Sequence, residues 1–258
     1  MIKGRSVSAS TLRRQFDSFL DQPPEPKKLN KKKLVWLKAD GTYFGHWGCV
    51  IVFKTGTEII YCDFVVRENY FNYRYSFGKL SELGYDILGL TSDWHGSLVS
   101  TFEDSSGGRP HQRCLVHTQM FGETLLTQRP ETQAGRDLLE IIKLLNTIKN
   151  YNQKEIWLRW FERWEKQYRA FVDQRSYLQD GTKHWWYTHK NVRKVYRSLA
   201  TSLDHLFLYL DHHGLEKDTN GLEAEFTHLK QKLLVHNGLK RHRKINLIKW
   251  YFYLKLKV

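Results

Sequence analysis

The order of apolar and polar positions divides the chain into segments of different periodicity. The first twenty residues predict one amphipathic helix, capped by Ser8 or Ser10. Its apolar face is formed by Leu12, Phe16 and Phe19. A proline- and lysine-rich stretch, QPPEPKKLNKKK, follows and is typical of a linker. We therefore expect residues 1–32 to form a helix and a basic linker ahead of the main body.

From Lys33 the apolar positions change to period two. Three β-type runs follow one another, LVWLKAD, HWGCVIVFK and EIIYCDFVV, which predicts a three-strand meander. Asp40 ends the first run, Gly41 allows a turn after it, and Thr55-Gly56 allows the next turn. The runs are nearly continuous in apolar residues, so we expect the sheet to be covered on both faces.

Helix and strand patterns then alternate. A helix is predicted over 70–83, where Gly84 stops it, and a fourth strand over 86–93. A short helix over 95–102 and a fifth strand at HQRCLVH complete the set. This pattern predicts an α/β fold with a mixed five-stranded sheet and flanking helices.

Between residues 121 and 210 the strand signal disappears. Trp157, Trp160 and Trp164 recur at helical spacing, which predicts an all-helical block with these three rings buried together. The pair Trp185-Trp186 lies in a polar, loop-like stretch, GTKHWWYTHK. These two rings either stack on unpaired bases or anchor the block, and the sequence does not decide between the two roles.

The last part of the chain is again helical. One helix begins near Asn220, with Thr219 or Asn220 as its cap, and Gly238 ends it. Glu223 lies in its first turn, where the helix dipole favours a carboxylate. A final helix runs from about Arg241 to the end of the sequence.

Positive charge is concentrated at the two ends of the chain. The formal net charge is +14; residues 1–33 hold nine Lys or Arg and three acids, and residues 226–258 hold nine and no acid. The rest of the chain is therefore close to neutral. Basic ends of this kind favour a polyanionic partner such as nucleic acid over a merely soluble basic protein.

Cysteine content and hydropathy limit the class to which the protein can belong. Three cysteines, Cys49, Cys62 and Cys114, are an odd and sparse set, which argues for a reducing compartment. The sequence has neither an apolar run long enough to span a bilayer nor a signal peptide. We therefore expect a cytoplasmic protein.

Three carboxylates fall at positions typical of catalytic metal ligands. Asp40 and Asp93 end β-type runs, and Glu223 opens a helix. Oxygen ligands of this kind suit two Mg²⁺ or Mn²⁺ ions beside a phosphodiester. Glu225 is the nearest competitor of Glu223, but it lies about 200° around the helix, so both cannot face one site.

Four motifs together resemble those of a known family. They are Asp-Gly-Thr-Tyr-Phe at Asp40, Thr-Ser-Asp at Asp93, the pair Cys114-x-x-His117, and Thr-Asn-x-x-Glu at Glu223. In this order they resemble the DDE transposases, in particular the bacterial insertion-sequence type related to the Mutator-like elements. The stretch HLKQKLLVHNGLKRHRK is similar to the helix that follows the glutamate in that group.

The resemblance implies a fold, an activity and partners. It implies an RNase H-like catalytic domain, residues 33–120 and 211–258, with a helical insertion at 121–210. The implied activity is metal-dependent cleavage and strand transfer of DNA, with Asp40, Asp93 and Glu223 as catalytic residues and ligands of two Mg²⁺ or Mn²⁺ ions. Double-stranded DNA, at element ends and target, would be the partner, bound by at least a dimer in the bacterial cytoplasm next to the nucleoid.

Further residues are candidates for DNA contact or structure. The basic residues of the last two helices are predicted to hold the DNA backbone: Lys230, Lys240, Arg241, Arg243 and Lys244. Cys114 and His117 are expected to have a structural role or to lie next to DNA. Zinc is disfavoured because a tetrahedral site needs four ligands and no second Cys pair exists.

One departure from the family leaves alternatives open. Relatives of this type carry a zinc ribbon and a helix-turn-helix before the catalytic domain, whereas one helix and no cysteine precede Cys49 here. The expectation is a chain that lacks the zinc ribbon and most of the helix-turn-helix. A truncated, non-catalytic DNA-binding fragment, or an RNase H-like nuclease with another substrate, are the alternatives to an active transposase.

Overall fold

A computed structural model of the chain describes residues 8–178 and 184–255. The helices are α1 (Ala9–Leu20), α2 (Tyr70–Glu82), α3 (Gly96–Ser106), α4 (Leu115–Leu126), α5 (Gln133–Leu144), α6 (Tyr151–Val172), α7 (Lys190–Ala200), α8 (Leu222–Val235) and α9 (Arg241–Lys255). The strands are β1 (Lys33–Tyr43), β2 (Cys49–Thr55), β3 (Glu58–Val65), β4 (Tyr85–Ser92), β5 (His111–Arg113), β6 (Arg175–Tyr177) and β7 (Trp185–Tyr187).

The larger sheet is five-stranded and mixed, with the strand order β3-β2-β1-β4-β5. Strands β1, β2 and β3 form an antiparallel meander, and β4 pairs with β5 in parallel. Helices cover the sheet. The predicted α/β fold class with a mixed five-stranded sheet is therefore confirmed.

The chain divides into two compact units. The first comprises the residues up to Gly89, His95–Arg109 and the residues from Asn220 onward, and the second comprises Leu90–Trp94 and Pro110–Thr219. The division of the chain into a catalytic domain and an insertion, which the resemblance implies, is a statement about function and stays a prediction.

The first unit has apolar layers on both faces of its strands. Val50 and Val52 of β2 pack in one buried cluster with residues of α8 and α9, among them Leu222 and Phe252. Phe53, on the opposite face of β2, lies 5.7 Å from Phe77 of α2 between ring centroids. The prediction that helices cover both faces of the meander is confirmed.

The predicted N-terminal helix is present as α1, and Ser8 caps it by accepting a hydrogen bond from the backbone N–H of Thr11. Its apolar face is only half covered. The ring of Phe19 is 60% exposed, although it lies 4.8 Å from the ring of Trp250 in α9.

The second unit has its own core, built from α4, α5, α6 and α7. Trp157 and Trp164 are 2% and 3% exposed, and their indole N–H groups donate to the carbonyls of Ile141 and Ala134. Trp160 is 46% exposed, so the prediction that it is buried with the other two is wrong. Its position lies about 60° from the centre of the stripe formed by the other two tryptophans and Phe161, at the edge of the buried face.

The expectation that residues 121–210 contain no strand is also wrong. Strands β6 and β7 form a small antiparallel sheet, in which Ser176 pairs with Trp186. Trp185 and Trp186 are therefore strand residues and not loop residues. Two strands of three residues each are too short to produce a period-two signal that stands out from a polar loop.

We expect Trp157 to be far more important for stability than Trp160. Trp157→Ala should lower the free energy of unfolding by about 3 to 5 kcal/mol, because it removes a buried ring and leaves the Ile141 carbonyl without its donor. Trp160→Ala should change that free energy by less than about 0.5 kcal/mol. Urea unfolding followed by near-UV circular dichroism measures both, and equal losses would contradict the assignment of Trp160 to the surface.

Candidate functional site

Asp40 belongs to a buried polar row on strand β1. Lys38, Asp40 and Thr42 are 5%, 5% and 9% exposed and alternate with apolar residues. Asp40 lies opposite Val52 in β2, and directly paired residues share a face of a sheet. Val52 packs in the cluster that includes α8. Asp40 is therefore on the face of the sheet that α8 covers.

Asp40 does not end its strand, and Gly41 does not form a turn. Strand β1 continues to Tyr43, and Gly41 pairs with Ile51. The prediction of a turn at this Asp-Gly pair is wrong. Glycine is required at position 41 for a steric reason. A Cβ on Gly41 would lie 2.5 Å from Oε1 of Glu68, whose side chain is 5% exposed and accepts a hydrogen bond from Tyr73. The glycine thus permits a close approach.

Glu223 lies in the first turn of α8, as predicted, and its side chain is exposed. The cap prediction is wrong: neither Thr219 nor Asn220 caps this helix. Gly221 occupies the N-cap position with φ of 88° and makes no side-chain cap hydrogen bond. Nζ of Lys54 lies 3.0 Å from the point where a Cβ on Gly221 would be, so this ammonium group reaches the start of α8.

Glu225, the competitor of Glu223, is engaged elsewhere. It accepts a hydrogen bond of 2.8 Å from the hydroxyl of Tyr251 and forms an ion pair with Lys255 in α9. Burial by itself raises the pKa of Glu225, but the hydrogen bonds from Lys255 and Tyr251 outweigh it and hold this pKa below its usual range. Glu225 ties α8 to α9, so it is the weaker candidate for catalysis.

Asp93, in the second unit, follows directly on the last residue of β4, as predicted. The preceding Ser92 shares a hydrogen bond of 2.8 Å between its Oγ and Nε2 of His111. The next residue, Trp94, has φ of 73°, a left-handed conformation that costs a non-glycine residue about 1 kcal/mol or more. Its ring lies 4.8 Å from the ring of His111 and 4.6 Å from that of His205. These contacts fix the backbone on both sides of Asp93.

Arg113 is a buried cation that the sequence did not single out. Its guanidinium group donates to the Ser198 carbonyl and to the hydroxyls of Ser198 and Ser202. Burial lowers the pKa of Arg113 to about 10, and the charge of Asp93 opposes that shift. Asp93 therefore lies within electrostatic range of a positive group in its own unit.

Cys114 and His117 meet at Thr219, just before α8. The thiol of Cys114 is buried and accepts hydrogen bonds from the backbone N–H and the hydroxyl of Thr219. The same hydroxyl lies 3.3 Å from Nδ1 of His117. These contacts all lie within the second unit, and they fit a structural role of Cys114 and His117.

The predicted DNA-contacting residues differ in the contacts that they already make within the fold. Lys230 and Lys240 are exposed. Arg243 forms ion pairs with Asp17 and Asp21 of the N-terminal segment, and the hydrogen bond from Arg243 lowers the pKa of Asp21. Arg241 donates to the Trp47 carbonyl at 2.7 Å. The two arginines are thus partly used within the fold.

The donor set of Asp40, Asp93 and Glu223 suits hard cations. Asp40 and Glu223 belong to the first unit and Asp93 to the second. Among residues 8–178 and 184–255, no three His, Cys, Asp or Glu side chains are arranged to hold a metal ion. Three carboxylates are nevertheless the oxygen ligands that Mg²⁺ and Mn²⁺ prefer, whereas a thiol and an imidazole are not.

None of the helices within the described ranges combines the length and the apolar character that crossing a membrane requires.

Comparisons with known proteins give a structural likeness but no family. The chain matches no protein-family model, and no curated protein matches its sequence. Among solved structures, it is similar to the Drosophila P element transposase strand transfer complex, with a TM-score of 0.45 and 11% sequence identity, over 95% of this chain and 85% of that chain. A likeness at this level does not establish a family.

The loop around Asp93 should make stability depend on pH. Burial lowers the pKa of His111 to about 3, whereas an unfolded histidine titrates near pH 6.5. Between these values the unfolded chain binds a proton that the folded chain does not, so the free energy of unfolding falls as pH falls. From pH 7 to pH 5 we expect the second unit to lose about 2 kcal/mol.

Hydrogen exchange of the β5 and α4–α7 amides at both pH values measures this loss. His111→Gln keeps a donor for Ser92 but does not titrate, and it should lose clearly less stability over the same interval. An equal pH dependence in the parent and the variant would show that His111 is not the responsible group.

Proposed function

We propose that this chain is a DNA strand-transfer enzyme of the DDE transposase type. Its catalytic residues would be Asp40, Asp93 and Glu223, which would hold two Mg²⁺ or Mn²⁺ ions. When bound, such ions activate the attacking oxygen of water or a DNA 3′-hydroxyl and stabilise the leaving oxygen. The substrate would be double-stranded DNA, at the ends of an insertion sequence and at its target, and the acting form at least a dimer.

One observation carries most of this proposal. Within the first unit, Asp40 is buried on strand β1, on the face of the sheet that α8 covers, and Glu223 lies in the first turn of α8. The sheet and the first turn of the helix that covers it each supply a carboxylate, and carboxylate oxygens are ligands that divalent cations such as Mg²⁺ prefer.

The surroundings of these carboxylates favour a phosphate ligand. Lys54 brings an ammonium group to the start of α8, and the N-terminus of a helix itself attracts anions. Lys54 also lies opposite Lys38 in the β1–β2 pair, so two cations share the face of Asp40. A phosphate that approaches the carboxylates is repelled by their negative charge, and the neighbouring positive groups offset this repulsion.

The catalytic assignment predicts loss of cleavage without loss of DNA binding. Asp40→Asn, Asp93→Asn and Glu223→Gln each keep the shape of the side chain but remove a negative oxygen ligand. Each should lower the rate of Mg²⁺- or Mn²⁺-dependent nicking of supercoiled DNA by about a thousandfold or more, the equivalent of several kcal/mol. Filter binding in EDTA should show unchanged affinity for DNA.

Glu225→Gln is the matched control, since it changes a carboxylate on the same helix that already accepts from Tyr251. It should cut at nearly the parent rate. If Asp93→Asn nicks as fast as the parent, the assignment of the site is wrong. If the parent binds DNA but never cuts it, the chain is a non-catalytic DNA-binding protein and the proposed activity fails.

The basic residues of the last two helices predict a salt-dependent affinity. Lys240→Ala combined with Lys244→Ala should lower the slope of log affinity against log salt by about 1.8, because each phosphate that a lysine neutralises contributes roughly 0.9 to that slope. Lys79→Ala with Lys143→Ala removes the same charge from lysines that are paired with Glu82 and Glu140. That control should leave the slope nearly unchanged, and equal changes in both double variants would contradict phosphate binding by this segment.

A further inference from the structure

The hairpin formed by β6 and β7 has aromatic residues on both faces. Cross-strand pairing puts Arg175 opposite Tyr187 and Tyr177 opposite Trp185 on one face, and Ser176 opposite Trp186 on the other. We call these six residues the hairpin surface. A two-stranded sheet of this size has little apolar core in which its large aromatic rings could be buried.

Three of these rings are open to solvent. Tyr177, Trp185 and Trp186 are 61%, 38% and 45% exposed, whereas Trp157 and Trp164 in the same unit are almost fully buried. Within the described part of the chain, Trp186 makes no ring contact with another aromatic residue or cation. Its indole face is therefore available to a flat partner.

Two arginine side chains lie over rings of the hairpin surface, one from the surface itself and one from α7. The guanidinium group of Arg175 lies 4.0 Å from the centroid of the Trp185 ring, and that of Arg193 lies 3.7 Å from the centroid of Tyr187. Arg193 is neutralised by Asp173. Arg175 has no such carboxylate partner within the described residues.

The adjoining helix α7 adds a stripe of positive charge. Lys190, Lys194 and Arg197 are exposed and spaced by four and three positions, so they lie along one side of the helix. Among residues 8–178 and 184–255, none of the three forms an ion pair. The buried residues Val192, Val195 and Leu199 hold the other side of α7 in the core of the unit.

We propose that the hairpin surface and the cationic stripe of α7 together bind unpaired nucleotides of DNA. Bases stack on the ring of Trp186 on one face of the hairpin and on the ring of Tyr177 on the other, and phosphates of the same strand lie on Arg175 and on the stripe. Unpaired bases are required because the faces of bases in a duplex are covered by their neighbours. Stacking on exposed rings beside a basic groove is how proteins bind single strands without reading sequence.

The arrangement fits nucleotides better than a lipid surface. Membrane-surface segments gather their apolar groups on one side and their polar groups on the other. Here the rings project from both faces of the hairpin, so no single apolar plane exists. The choice of DNA as the ligand rests on the proposed function, whereas the stacking surface rests on the hairpin alone.

The test is binding of fluorescein-labelled oligonucleotides by the full chain, followed by anisotropy in EDTA so that no cleavage occurs. Trp186→Ala should weaken binding of a mixed-sequence single strand at least fivefold, about the loss of one stacked base, and leave duplex binding unchanged. Trp186→Phe should restore most of the affinity. Lys190→Ala with Lys194→Ala should reduce the salt dependence of single-strand binding.

Trp160→Ala is the matched control, because Trp160 is as exposed as Trp186 but lies on α6, in a groove that it shares with Asp137 and Glu140. It should change neither affinity. Equal effects of Trp160→Ala and Trp186→Ala, or an equal loss for duplex and single strand, would overturn the proposal. Tighter binding of an RNA strand, or of vesicles of anionic phospholipid, that depends on Trp186 would overturn the choice of DNA.

The outcome is separable from that of the catalytic proposal. Single-strand binding through Trp186 in a chain that never cuts DNA would leave the hairpin surface standing and the proposed activity refuted. Cleavage that depends on Asp93, without any contribution of Trp186 to binding, would refute the role of the hairpin surface and leave the proposed activity standing.

Discussion

The packing of α8 against the meander is the constraint on which the candidate chemistry of the first unit depends. Leu222, Phe226, Leu229 and Leu233 recur along one side of α8 and are buried against Val50 and Val52 of β2. Leu222 is fully buried and directly precedes Glu223. Burial of that one side chain therefore sets the direction in which Glu223 projects, about 100° around the helix from the core. A helix register shifted by one residue would bury the carboxylate and expose the leucine.

The second unit fixes Asp93 by different means. The residues that directly follow β4 are positioned by polar and aromatic contacts. Ser92 is held by His111, and the ring of Trp94 lies against two histidine rings. His111 must stay neutral for this arrangement to persist, and burial, which lowers its pKa, secures this. Each unit thus holds its candidate carboxylates, two in the first and one in the second, on a backbone that its own contacts fix. Stability and the placement of these side chains are therefore linked within each unit.

The sequence predicted well those features that depend on neighbours in the chain. The position of Glu223 in a first turn followed from the apolar spacing after it, and Asp93 followed from a strand that ends in a polar residue. Features that depend on distant residues were missed. Asp-Gly at position 40 predicts a turn from local preference, but Gly41 is required because Glu68 approaches it from another segment. The left-handed Trp94 and the buried Arg113 have no local signal, since only the surrounding histidines and serines make them favourable.

Which basic side chains remain available to a ligand depends on which of them already form ion pairs within the fold. Arg243 is held by Asp17 and Asp21 and connects α9 to α1, so it contributes more to the fold than to a surface potential. Lys230 and Lys240 face solvent and keep their charge available. Lys230 lies seven residues after Glu223, or about 10 Å along nearly the same side of α8. A duplex advances about 3.4 Å along its axis per nucleotide of one strand, so about 10 Å along a duplex whose axis lies parallel to α8 corresponds to about three nucleotides. On the proposed function, a helix with the catalytic carboxylate at its start and an exposed lysine two turns later would both act on DNA and align it.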